Sequence, residues 1–394
     1  MASTGTSTGT AKGTHPWLSF DFDTARFSPD IWLLLGEAMS KCEHLAGVPL
    51  RPDTAAGLHS LYLAKGVQAT TAIEGNTLSE AEVLERIEGG PQLPPSKEYL
   101  GVEVDNVVRA CNDIGDGILR GTAGELRPAD LQEFNRRVLA GLPLGHGVVP
   151  GALRDHAIRV GGYFGPAFEQ CPSLLARLCT WLTAAFGGIA GPALASSLVK
   201  AIVAHVYFVW IHPFSDGNGR TARLLEFRVL LEGGVPTPAA HLLSNHYNQT
   251  RSEYYRHLDE ASISGGDLVP FVRYALQGYV DLLREQVGRV RDQQMDVTWR
   301  SYVQQRLQAE PLSATRERQR QLILDLSARG LPVATAEIAG LTPQLAALYR
   351  RKTDKTITRD VNKLIALDLV ERKAGKLRAK KELVAAFLPA RRSR

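Results

Sequence analysis

A mainly α-helical body with one small hairpin, followed by a separate basic domain, is the architecture this sequence predicts, and three observations predict it. Apolar residues recur at helical spacing through most of the chain. One short segment, bounded by glycines, alternates instead. The charge also changes sign along the sequence: residues 301–394 carry 20 Lys+Arg against 9 Asp+Glu, a net of +11, while residues 1–300 carry 26 against 32, a net of −6. The overall +5 therefore hides a mildly acidic body and a basic segment the size of one small nucleic-acid-binding domain. A length of 394 residues with 44% hydrophobic content suffices for two to three domains with cores of their own. The 22% charged fraction excludes a largely disordered chain.

Taken in order, residues 1–14 are rich in Ser, Thr and Gly without an apolar run, which predicts a disordered leader rather than a signal peptide. Residues 15–99 read as an N-terminal helical region. Within it Ser79 and Glu82 form a capping box that opens a helix through Ile87, closed by Gly89-Gly90 before the Pro-rich loop 91–95. The main body, 100–290, shows helical periodicity over 100–119, 128–139, 173–186, 193–210, 220–231, 251–260 and 268–291. The alternating segment is 152–164, with Gly161-Gly162 inside it, and it predicts a β-hairpin. Residues 291–311 read as a linker to the basic domain, 312–394. There helices are expected over 318–328, 335–339 and 356–367, then two short strands in 369–378 around Ala374-Gly375.

Cys42, Cys111, Cys171 and Cys179 lie far apart with no Cys-x-x-Cys, which argues against a disulfide framework or zinc site and fits a reducing cytoplasm. The longest apolar run, 201–211, is about half of the ~20 residues a membrane-spanning helix needs, so no membrane association is expected.

The densest polar cluster lies inside the most apolar stretch: His212-Pro213-Phe214-Ser215-Asp216-Gly217-Asn218-Gly219-Arg220-Thr221-Ala222-Arg223. Gly217-Asn218-Gly219 lets backbone N–H groups approach an anion closely, and the helix that starts there adds its positive dipole end. Arg220 and Arg223, three apart, project from one helix face toward phosphate oxygens. Asp216 offers a hard carboxylate for Mg²⁺, the usual companion of a triphosphate. His212 precedes the cradle, placed to take a proton from an attacking hydroxyl. The loose match of Gly217-x-Gly219-x-x-Ala222 to a dinucleotide fingerprint fails on context, because a helix rather than a strand precedes it. His205, in mid-helix, reads as a core residue, and no Gly-x4-Gly-Lys-Ser/Thr is present.

This run resembles the Fic/Doc family signature, His-x-Phe-x-Asp/Glu-Gly-Asn-Gly-Arg-x-x-Arg, with every defining position filled. The resemblance covers roughly 100–283. It implies the Fic helical fold with a β-hairpin flap, and transfer of AMP from ATP, with Mg²⁺, to a Ser, Thr or Tyr hydroxyl of a target protein or of the chain itself. It implies His212 as base, Asp216 as magnesium ligand, Asn218 with the Gly217 and Gly219 amides as anion hole, Arg220 and Arg223 as phosphate clamp, and Phe214 buried below the loop. Residues 246–260 are similar to the helix that lines the family's adenine pocket, with Tyr255 as the candidate there. Some relatives have Asn seven positions after that Tyr, where this chain has Ser262.

Two further resemblances complete the reading. Thr70-Thr71-Ala72-Ile73-Glu74-Gly75-Asn76 resembles the inhibitory signature of Fic proteins restrained from an N-terminal helix, which implies that Glu74 pairs with Arg223 and withholds it from the nucleotide. In the flap, Ile158 and Val160 are the expected contacts of an extended target segment. The order helix-helix-helix-hairpin in the basic domain reads as a winged helix-turn-helix, and 355–375 is similar to the recognition helix and wing of bacterial regulators. Thr356, Thr358, Arg359, Asn362 and Lys363 would then face a DNA major groove, with Lys373, Lys376 and Arg378 on the phosphates. A regulator whose Fic body senses nucleotide or a partner is the alternative to an enzyme, as are Fic chemistries with another donor or with removal of AMP. His212 and Asp216 favour the enzyme, since a pure sensor needs no base. A homodimer stands among the expected partners.

Overall fold

The computed structural model describes residues 15–183, 193–308 and 313–385. The expected leader, 1–14, lies outside the described residues. The chain divides into two compact units, Met1–Val287 and Gly288–Arg394.

The first unit is mainly α. It opens with α1 (Pro29–Gly47), α2 (Pro52–Ala72) and α3 (Glu80–Ile87), the first two started by Pro in the first turn and the third by the Ser79/Glu82 capping box. Then come α4 (Glu98–Leu119) and α5 (Pro128–Val138), the hairpin strands β1 (Arg159–Val160) and β2 (Tyr163–Phe164), and α6 (Cys171–Thr183). The central pair is α7 (Ala193–Ile211) and α8 (Asn218–Glu232). After it follow α9 (Thr237–Ala240), α10 (Leu242–Gln249), α11 (Arg251–Ile263) and α12 (Val269–Leu307), which belongs to the second unit from Gly288 on.

α7 has the length and apolarity of a membrane-crossing helix, but 72% of its most apolar stretch is buried inside the protein. Val199, Ile202, Val203, Val206, Phe208 and Ile211 are fully covered, on every side of the helix, because α1, α6 and α8 pack around it. Truncating such a residue, Phe208→Ala, costs ~3–5 kcal/mol. The motif loop is thus fastened between the two best-buried helices of the core. All four cysteines are buried and free, and burial pushes the thiols of Cys111 and Cys179 up to about 12, where they are inert.

Two expectations are corrected here. The hairpin is shorter than 152–164: its ladder is Arg159↔Phe164 and Val160↔Tyr163 around Gly161-Gly162. The preceding residues leave the ladder because Arg154 turns inward and Leu153 bridges to Phe214. The stretch expected as a linker, 291–311, is helical as far as Leu307, because Trp299, Val303 and Leu307 repeat at one-turn spacing and are buried in the second unit's core.

That second unit holds α13 (Ala314–Arg329), β3 (Val333–Ala334), a 3-10 turn (Thr335–Gly340), α14 (Pro343–Tyr349), α15 (Asp354–Ala366), β4 (Val370–Lys373) and β5 (Lys376–Ala379). The strands form one antiparallel sheet in the order β3-β5-β4. The sequence reading missed α14 and β3, and the expected second helix is the 3-10 turn. Asp360, fully buried, ties the three helices together. Arg318 donates to it from Nε at 2.6 Å and Nη2 at 3.2 Å, Gln319 at 3.0 Å and the Tyr349 hydroxyl at 3.1 Å.

Candidate functional site

α7 ends at Ile211, and His212 leaves it with φ +46°, a left-handed conformation that a non-glycine residue adopts only when its surroundings enforce it. The enforcement is visible. His212 N–H still bonds the Phe208 carbonyl at 2.9 Å, and its carbonyl accepts from the Nε of Arg154 at 2.8 Å. The imidazole Nδ1 lies 3.3 Å from the Val209 carbonyl, to which only an N–H can donate, so Nε2 is left with the lone pair. Burial is the main reason its pKa falls to about 4; Arg154 adds to the fall, and the Val209 carbonyl, Glu74 and Asp216 oppose it. The ring is neutral at pH 7.

The loop after it closes on itself. Asn218 Oδ1 accepts from Phe214 N–H at 3.0 Å and its Nδ2 donates to the Phe214 carbonyl at 2.7 Å, with Phe214 buried beneath. Gly217 precedes α8 at φ +75°, and a Cβ there would press on Asn135 and Leu139. Asn135, fully buried on α5, donates to the Asp216 carbonyl at 2.8 Å and accepts from Gly151 N–H at 2.9 Å, so one amide joins the motif loop to the base of the flap.

The two motif arginines differ in their partners. Arg220 donates to Glu103 at 2.6 Å and to Asp216 at 3.1 Å, and Glu103 also accepts from Asn76 at 2.8 Å. Arg223, 2% exposed, donates from Nη2 to Glu74 at 2.6 Å and to the Thr70 carbonyl at 2.9 Å, while its buried Nε has no partner among the described residues. Burial opposes ionisation of Glu74, yet Arg223 above all, with Arg220 and His212, holds its carboxyl below the usual range. The carboxylate lies against Gly219, where a Cβ would overlap it. A negative charge therefore sits on the α8 N-terminus, where an anion is best accommodated.

A cavity of about 160 Å³ opens over this loop. It brings together the expected His212, Asn218, Gly219, Arg223, Glu74, Val160, Tyr255 and Ser262, adding Tyr163, Trp210, Tyr254 and Asp259. Tyr255 is 42% exposed at its edge. Ile158 does not line it; its side chain packs against Gly165 and its carbonyl accepts from Gly165 N–H at 3.1 Å. Thr70 contributes its carbonyl to Arg223, and Asn76 serves the Glu103 network rather than the cavity. Asp216, with a side chain 44% exposed, keeps one oxygen on Gly217 N–H and Arg220. Among the described residues no group of three His, Cys, Asp or Glu could hold a metal by itself. A lone accessible carboxylate suits Mg²⁺, which takes few protein ligands and completes its shell with phosphate and water.

Residues 125–230, which include the whole loop, match the Fic/DOC family. These residues form a Fic/DOC family domain. The protein adenylyltransferase fic-1 of Caenorhabditis briggsae is 32% identical over 231 residues, 57% of this chain and 42% of that protein. The protein adenylyltransferase Fic of Culex quinquefasciatus is 31% identical over 243 residues, 60% of this chain and 43% of that protein. The chain thus spans less than half the length of the curated relatives it matches. Among solved structures, a Fic family protein from Desulfovibrio desulfuricans G20 superposes with a TM-score of 0.55 at 22% identity, covering 90% of this chain and 97% of that one, a likeness of fold. A fragment of Caenorhabditis elegans Fic-1 gives 0.52 at 26% identity, covering 67% and 73%.

Sequence reasoning missed three residues that hold this Fic loop: Arg154, Asn135 and Glu103. Each had a signal. Asn135 sits among Leu131, Phe134 and Val138, and Glu103 among Leu100, Val104 and Val107, polar residues on buried helix faces that must find partners. His205 is the core residue expected: fully buried, 2.9 Å from the Tyr254 hydroxyl, its pKa lowered by burial to about 3.

In the second unit, α15 buries Ile357, Val361 and Leu364 and exposes Thr358, Arg359 and Asn362; Thr356 and Lys363 are half-buried. Lys373 and Lys376 are exposed at the β4–β5 turn, whereas Arg378 donates to Glu371 at 2.8 Å and to Glu382 at 2.6 Å, which neutralises the charge expected on phosphates.

Proposed function

We propose that the chain is a protein adenylyltransferase restrained by its own Glu74. The observation that carries this reading is the Glu74 carboxylate lying against Gly219 with one oxygen 2.6 Å from Arg223: the anion cradle is complete and already holds a carboxylate. ATP would bind with its phosphates on the Gly217 to Gly219 backbone and Arg220, and Asp216 would hold Mg²⁺. The ion would neutralise phosphate charge as pyrophosphate departs. The target hydroxyl attacks the α-phosphorus, its proton passes to His212 Nε2, and the bond from α-phosphorus to the pyrophosphate oxygen breaks. Positioning and charge supply most of the rate. With Glu74 in place, Arg223 is not available to orient the γ-phosphate, and nucleotide binds without reacting. The names borne by the relatives support the same chemistry.

Intact mass after incubation with ATP and Mg²⁺ tests the reading. An AMP-sized increment is expected on Glu74→Gly, little on the wild type, and none on Glu74→Gly/His212→Ala. No increment in any variant, with a protein acceptor also supplied, overturns it in favour of another donor, removal of AMP, or a sensor.

A second reading, for the C-terminal unit alone, rests on the exposed Thr358, Arg359 and Asn362 opposite the buried face of α15. It treats that unit as a winged helix on DNA. Duplex affinity should then fall steeply with salt; no binding at low salt rejects it.

A further inference from the structure

Between Ala152 and Gly165 every residue is exposed or half-buried except one, and that one is an arginine: Arg154 is 3% exposed. Burying a guanidinium in an otherwise solvated segment inverts the usual sorting by hydropathy and has to be compensated by partners. Those partners are carbonyls. Nε donates to His212 at 2.8 Å, Nη1 to His156 at 2.7 Å and Nη2 to Pro166 at 2.6 Å, while the Arg154 backbone N–H donates to the Pro213 carbonyl at 2.9 Å. None of these bonds goes to a carboxylate. His156 precedes β1, Pro166 follows β2 and His212 is the candidate base, so one planar fork joins both ends of the flap to the backbone that carries the imidazole.

The anion cradle is fastened separately. Asn218 closes on both backbone groups of Phe214, and Asn135 holds the Asp216 carbonyl. The loop therefore has two anchorages: Asn218 and Asn135 from Phe214 onward, Arg154 on His212 and Pro213. On the flap, Val160 and Tyr163 line the same cavity as His212, and the Tyr163 hydroxyl donates to the Trp210 carbonyl at 2.7 Å. A shift of the flap is thus passed through Arg154 to a residue whose φ of +46° persists only under restraint. Resting on the adenylyltransferase reading, we propose that Arg154 is a positioning residue for the transfer step: it holds the flap wall of the cavity and the His212 base in one register, and takes no part in holding nucleotide. The acceptor hydroxyl has to meet both the base and the α-phosphorus, and a misplacement of ~1 Å costs on the order of 10²-fold in rate. Lysine would supply the charge without the fork, and a single Nζ does not reproduce three N–H groups fixed in one plane.

The test uses the full chain carrying Glu74→Gly, with Mg²⁺ and a hydroxyl peptide as acceptor. It compares kcat at saturating ATP with the dissociation constant of α,β-methylene ATP measured by calorimetry. Arg154→Lys and Arg154→Gln should each lower kcat at least tenfold and leave the nucleotide affinity within twofold. Gly165→Ala keeps the arginine and crowds its Pro166 end, since a Cβ there meets Ile158 at 2.8 Å and Arg154 Nη2 at 3.4 Å. It should lower kcat severalfold and shift the His212 imidazole resonance, identified by its loss in His212→Ala. A kcat within twofold of the parent in folded Arg154 variants overturns the proposal and leaves the adenylyltransferase reading standing. An equal fall in kcat and nucleotide affinity does the same, because Arg154 would then support the whole loop. If the Arg154 variants do not fold, Gly165→Ala decides: an unchanged kcat with an unmoved His212 resonance overturns the proposal. No AMP on the peptide from Glu74→Gly itself removes both.

Discussion

A buried arginine meets a carboxylate in each unit of this chain, Arg318 with Asp360 and Arg223 with Glu74, and the two pairs are built differently. In the C-terminal unit Asp360, fully buried, receives both arms of Arg318 plus Gln319 and Tyr349, so both its oxygens are engaged. Over the motif loop, Arg223 meets Glu74 through one nitrogen and one oxygen, keeps an Nε without a partner among the described residues, and leaves the Glu74 side chain 28% exposed. The first pair is saturated, and no incoming group has anything to offer it. The second is under-satisfied and opens to the cavity over the motif loop. A buried ion pair that is fully hydrogen-bonded behaves as structure, whereas one that is half-bonded and opens to a cavity is a contact that a ligand or substitution displaces.

The largest effect expected from that contrast is on Asp360→Asn. Removing one charge strands Arg318 in the core and should destabilise the C-terminal unit by ~3–5 kcal/mol. Hydrogen exchange over residues 313–385 reads it out, and a loss confined to a few tenths would erase the distinction between the pairs.

Glu74→Gly comes next and should separate stability from activity. A charge-assisted hydrogen bond of ~1.5–3 kcal/mol that no longer has to be displaced corresponds to a ~10–100-fold rise in AMP incorporation. Protection of the first unit against exchange should stay nearly unchanged. If the substitution unfolds α2 instead, Glu74 is a structural residue like Asp360.

A smaller effect sharpens the role of His212. Its pKa is depressed to about 4, so the neutral base is present throughout the neutral range. The Glu74→Gly rate should be level from pH 8 to 5.5 and fall only below about pH 4. Because Glu74 raises that pKa, its removal moves the acid limb lower still. An inflection near 6.5 would mean an unburied, unperturbed imidazole.

Glu226 adds a test of the core under Arg223. Burial raises its pKa to about 8, and the Tyr247 hydroxyl donates to it at 3.0 Å. A carboxyl whose folded pKa exceeds its unfolded value contributes stability below the unfolded pKa that is lost as pH rises through the folded one. Wild-type stability in urea should therefore decline from pH 5 to 8, and Glu226→Gln should flatten that decline. The smallest change expected is at exposed Arg359: Arg359→Ala should alter stability by less than ~0.5 kcal/mol.

The motif from His212 to Arg223 was legible in the sequence because its chemistry is local: glycines, a helix start and two arginines three apart need only near neighbours. Helix periodicity and the Ser79 capping box were legible for the same reason. The linker reading failed because the helical repeat of Trp299, Val303 and Leu307 sits within a polar stretch, and its value appears only when a second core covers it. α14 and β3 escaped because seven and two residues carry too little pattern.

What the sequence alone determined is the motif loop, the helical character of the body and the order of charged regions, each set by interactions within a few residues. The tertiary structure decided which arginine is left to Glu74, 149 residues away, that Arg220 is taken by Glu103, and that Arg154 and Asn135 join flap to loop. Hydrogen bonds between residues distant in sequence depend on which buried faces meet, and that is fixed only when the core packs.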